Sequence, residues 1–168
     1  MKGWVSIQGA FLGSPVADYI VENSLTGPAL GAKLWEAIGG SRESLLSLTT
    51  SKAQARWSQG GGATKDLLNA LPSIAFSSAG PSASSGVSHQ ILTEFGQWLS
   101  SYGPNDGLMP VDRASLPGMV IVKTTGIDHA DPVMRDPLIP ASRDVFDRVR
   151  MTKALLSVLL DRMPRADR

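Results

Sequence analysis

The chain has no cysteine among its 168 residues, which excludes disulfides and thiolate zinc sites. It also lacks a charge imbalance: 16 Lys and Arg stand against 15 Asp and Glu, a formal net charge of +1. Nothing in that balance draws the chain to nucleic acid or to an anionic membrane surface. The arginine-rich end (Arg143, Arg148, Arg150, Arg162, Arg165, Arg168) is interleaved with aspartates and reads as a solvated helix face. No stretch approaches the roughly 20 apolar residues of a membrane helix. The opening MKGWVSIQGAF lacks the apolar core of a signal peptide, so a soluble protein made without a cleaved leader is expected, with its compartment left open. What remains is a chain 42% hydrophobic and 18% charged, which suits one domain with a single sizeable core.

Apolar runs between turn residues predict the elements. Trp4, Val5, Ser6 and Ile7 form a strand, and Ser14-Pro15 starts a helix with Val16, Tyr19 and Ile20 on one face. Residues 27–71 read as short helices broken by glycines: 28–38, 43–48, one capped by Ser51 with Gln54 through Trp57, and 64–71 ahead of Pro72. Ile74-Ala75-Phe76 is a short strand, and the small polar residues 77–88 read as loop. A helix over 89–100 carries Ile91, Leu92, Phe95, Trp98 and Leu99. A last helix capped by Ser142 places Val145, Val149, Leu156, Leu159, Leu160 and Met163 on its buried face. Apolar strands alternating with helices predict the α/β class, a parallel sheet covered by helices. No internal repeat is present.

Residues 105–131, NDGLMPVDRASLPGMVIVKTTGIDHAD, carry the chemistry. Asp106 lies in Asn105-Asp106-Gly107, where each residue type tolerates the backbone of a tight turn. Met119-Val120-Ile121-Val122 reads as a buried strand, and His129 falls in the loop after it. An acid and an imidazole on neighbouring loops can form the proton-handling half of a charge-relay site, the acid fixing the tautomer of the base. His89, on an apolar helix, is expected to be structural.

Three stretches in this order resemble bacterial triacylglycerol lipases of the α/β-hydrolase fold and related esterases: QGAFLGSPVADYI, ESLLSLTTSKAQARW and residues 105–131. The resemblance implies a partial α/β-hydrolase fold, the last parallel strands with covering helices, forming one incomplete domain over 1–168. Within it, residues 27–71 would be a helical lid-like insertion whose apolar residues cover an acyl groove. Asp106 would be the acid and His129 the general base of ester hydrolysis. The implied substrate is a carboxylic ester or lipid, and no cofactor is implied.

Two features depart from the family pattern. There is no Gly-x-Ser-x-Gly nucleophile elbow, and neither Gly13-Ser14 nor Gly40-Ser41 supplies one. The chain therefore reads as the C-terminal half of a lipase-like hydrolase, with the nucleophile and oxyanion hole outside it. Its partner would be the N-terminal half, or a second copy through an open sheet edge. Asp131 stands where some of these lipases bind calcium, two residues past the histidine. Its expected acidic partner is missing, so Asp131 is expected to stabilise the loop. The alternative is a catalytically inactive remnant or binding and dimerisation module.

Overall fold

Trp4–Ile7 (β1), Ser73–Ala79 (β2) and Val120–Thr125 (β3) join in one parallel sheet, in the order β1-β2-β3. They are seen in a computed structural model that describes residues 3–23, 41–60, 62–83, 87–133 and 145–163. Val5 stands opposite Ile74, and Ile74 opposite Val120. Parallel neighbours need long crossovers. Between β1 and β2 run α1 (Pro15–Asn23), α2 (Arg42–Ser47), α3 (Thr50–Gln59) and α4 (Gly62–Ala70). Between β2 and β3 run α5 (Val87–Trp98) and the 3-10 turns Leu99–Tyr102 and Val111–Arg113, and after β3 comes α6 (Arg148–Arg162). The class is α/β, a parallel sheet with covering helices.

Two cores hold these elements. Ile74 and Phe76 on β2 pack with Leu155 and Leu159 of α6, joined by Val5, Ile7, Val120 and Val122. Burying such side chains stabilises the fold by about 1.5–3 kcal/mol each. The second core joins Val16, Ala17 and Ile20 of α1 to Leu45 of α2 and Leu99, with Phe95 of α5 packed against it.

Several expectations fail on local physical grounds. β2 continues through Ser77 and Ser78, placed in a loop by composition, because both pair with β3 and are buried. Among the described residues β3 is an edge strand rather than a buried one: Val120 and Val122 pack with the α6 cluster while Ile121 remains 44% exposed. Val145, Val149, Leu156 and Leu160, expected on a buried face, are exposed. The face of α6 that meets the sheet carries Met151, Leu155, Val158 and Leu159, about 100° around the helix from Leu156 and Leu160. That helix is capped by the Asp147 side chain, which accepts from Arg150 N; Ser142 lies outside the described residues. Ser51 caps nothing, since α3 begins at Thr50, whose amide and hydroxyl are both held by the Asp18 carboxylate. The capping box falls instead at Ser41 and Ser44, ahead of α2. The expected helix over 28–38 lies within residues outside the description.

Candidate active site

All three parallel strands end on one side of the sheet, the side where open α/β sheets place their ligand sites. The turn bearing Asp106 is built by its own residues. Asp106 Oδ1 accepts from the amides of Leu108 (3.0 Å) and Met109 (2.7 Å), and Asn105 Oδ1 accepts from Gly107 N. Gly107 has φ +92, and a Cβ there would stand 2.4 Å from the Leu92 carbonyl oxygen of α5. Only glycine fits this turn, because any side chain would meet helix backbone.

Asp106 is buried, and its second carboxylate oxygen accepts a hydrogen bond from His129 Nδ1 at 2.9 Å. The His129 amide also donates to the Asp106 carbonyl at 2.8 Å, so backbone and side chain join the two loops. The imidazole is 27% exposed. Its Nδ1 is held by the acid, and its Nε2 is the nitrogen left for exchanging a proton. Ser14 behaves as a helix cap: its hydroxyl accepts from Ala17 N and donates to the Leu108 carbonyl.

A second histidine–aspartate pair lies beside the first. His89, in the first turn of α5, donates from Nδ1 to Asp128 Oδ2 at 2.5 Å, with both residues buried. Asp128 Oδ1 accepts from the amides of Ala130 and Asp131, and Asp131 Oδ2 accepts from the Asp128 amide. Gln8, at the end of β1 with φ +50, donates from Nε2 to Ser78 Oγ and to the Asp128 carbonyl. Burial raises the Asp128 carboxyl above its ordinary value; the His89 hydrogen bond opposes this, and the nearby Asp131 charge adds to it. Nothing in the residue pattern points to Gln8 or Asp128, which become visible only when distant segments meet.

His89, Asp128 and Asp131 bring one potential ligand atom each within 4.8 Å of one another. They do not fit calcium, which takes six to eight oxygens. The set holds a nitrogen and two carboxylates, of which both Asp128 oxygens and Asp131 Oδ2 already accept hydrogen bonds. A cavity of about 440 Å³ runs between Gly80-Pro81, α5 and the acid turn. Asp106 and Asp128 line it and His129 does not.

No family model and no curated protein sequence matches the chain. Solved structures do. The mature form of the Bacillus licheniformis lipase BlEst2 superposes with a TM-score of 0.62 at 17% identity, over 95% of this chain and 55% of that one. Its propeptide form gives 0.61 at 17% identity, over 100% and 32%. The metagenomic carboxyl esterase MGS0156 gives 0.61 at 18% identity, over 95% and 48%. The fold is therefore a partial α/β-hydrolase fold, and the chain spans about half, or less, of the length of these neighbours.

Proposed function

We propose that this chain supplies the acid and the base of a lipase- or esterase-like hydrolase of carboxylic esters. The observation that carries the reading is the 2.9 Å hydrogen bond from His129 Nδ1 to the buried Asp106 carboxylate, with the ring partly open to solvent. His129 Nε2 takes the proton of a serine hydroxyl as that oxygen attacks the ester carbon, and Asp106 stabilises the imidazolium that forms. The proton then passes to the leaving alcohol, and the acyl-serine is hydrolysed by water that His129 activates in turn.

The nucleophile and oxyanion hole come from outside this chain, which is the C-terminal half of a single α/β-hydrolase domain. We place residues 1–168 in that one domain with 27–71 as its lid-like insertion, of which 27–40 and 61 lie outside the described residues. Two features support incompleteness. β1 is hydrogen-bonded to a strand on one side only among the described residues. Trp4 Nε1 and Gln8 Oε1, on β1 or at its end, are buried without hydrogen-bond partners there. Among the described residues no helix is long and apolar enough to cross a membrane.

The open edge of β1 also favours a second reading, an inactive module that binds a partner strand or another copy. Co-expression with the polypeptide encoded upstream of Met1, assayed on a p-nitrophenyl ester, separates the two. The hydrolase reading expects turnover that His129→Ala abolishes. Turnover indifferent to His129, or stable association without turnover, favours the module.

A further inference from the structure

We propose that His89 is a positioning residue: through Asp128 it holds the histidine-bearing loop so that His129 Nδ1 stays on Asp106. The proposal rests on the reading of His129 as the base. Asp128 precedes His129 directly, so the placement of one peptide sets the other. Each polar group of Asp128 is engaged. Its amide donates to Asp131 Oδ2, its carbonyl accepts from Gln8, its Oδ1 accepts from two loop amides and its Oδ2 accepts from His89. The bonds inside the loop fix the shape of the turn. Only those from Gln8 and His89 reach elements outside it, and these fix where the turn sits.

His89 is the more informative tether because of what else α5 supports. The Asn105 side chain donates to the Gly96 carbonyl of α5, and Gly107 lies against the Leu92 carbonyl of the same helix. The acid turn therefore rests on the middle of α5, while His89 fastens the histidine loop to its first turn. One helix sets both halves of the Asp106–His129 pair. Removing His89 leaves the loop held from outside by Gln8 and by the His129 amide on the Asp106 carbonyl, and so loosens it without touching the hydrogen bonds of the acid turn. The His89 side chain is 8% exposed against 27% for His129, so the more open ring is the one on the acid turn's carboxylate.

The chain has two histidines, so imidazole nitrogen NMR reads each one without crowding. The wild type is expected to show His129 in a single Nδ1–H tautomer with a slowly exchanging proton. His89→Ala should mix the tautomers and accelerate that exchange about tenfold or more, the effect of losing one charge-assisted hydrogen bond. His89→Asn, whose amide can donate to Asp128, should restore the wild-type signal. Leu159→Ala, which weakens the core on α6, should lower the melting temperature and leave the tautomer unchanged. An unchanged His129 signal in His89→Ala, or equal loosening in Leu159→Ala, overturns the proposal. If His89→Ala does not fold, Asp128→Asn replaces it: loosening beside a wild-type His89→Asn supports the proposal, and the reverse refutes it. Zinc or calcium chloride should move neither histidine, and a saturable shift at His89 would mean a metal site instead. These readouts use no turnover, so ester hydrolysis indifferent to His129→Ala removes the base assignment and leaves the tautomer result standing.

Discussion

Two histidine–aspartate pairs meet where Asp128 precedes His129, and they differ in exposure. In both, one carboxylate oxygen accepts two backbone amides and the other accepts an imidazole Nδ1. In His129–Asp106 the ring is partly exposed; in His89–Asp128 it is enclosed. An enclosed imidazole whose Nδ1 is engaged can orient a neighbour, whereas a ring with an exposed edge can trade protons with a substrate. Similar wiring thus differs in what it leaves open to solvent, which is why the proposal gives the base to His129 and the support to His89.

The comparison breaks most visibly in activity. In the assembled hydrolase, His129→Ala or Asp106→Ala should lower kcat on an ester by roughly 10⁴-fold, since triad members act as a unit. A rate within a factor of two of wild type would end the assignment. Next in size is stability. His89→Ala leaves a buried carboxylate oxygen without its imidazole partner and should cost about 1–3 kcal/mol, read from urea midpoints. His129→Ala, at the more exposed ring, should cost less. Gly107→Ala follows: its positive φ and the nearby Leu92 carbonyl predict a loss of about 1–3 kcal/mol, expressed in the acid turn and not at His89.

The smallest effect is in pH dependence. Asp128 has an ordinary value of 3.8 when unfolded and a raised one when folded. Between those values the folded state holds more protons, so this contribution is full below the ordinary value and is lost as pH rises through the raised one. The stability of wild type relative to Asp128→Asn should therefore fall as pH rises above the ordinary value of 3.8 and through the raised one. A difference that stays flat or grows would mean the site favours the ionised carboxylate.

Much of this was readable before any coordinates, for reasons of local chemistry. Asn105-Asp106-Gly107 announces a turn because those residues tolerate its backbone, and β-branched residues after Pro117-Gly118 announce a strand. What composition misjudged was burial by remote partners. Ser77 and Ser78 read as loop because they are small and polar, yet pairing with Lys123 and Thr124 keeps them in the sheet. Leu156 and Leu160 read as core by period, but the side of α6 that meets β2 is offset from them. The second pair was hidden altogether. His89 and Asp128 lie 39 residues apart, and nothing local to either announces the other.

The amide of Gln8 spans from the tip of β1 to the carbonyl just before His129, with Ser78 steadying it on the way. Sliding β1 along its own axis would drag that carbonyl, and the imidazole with it. A strand lying along the outer side of β1 would thus gain mechanical leverage over His129, through a single side chain.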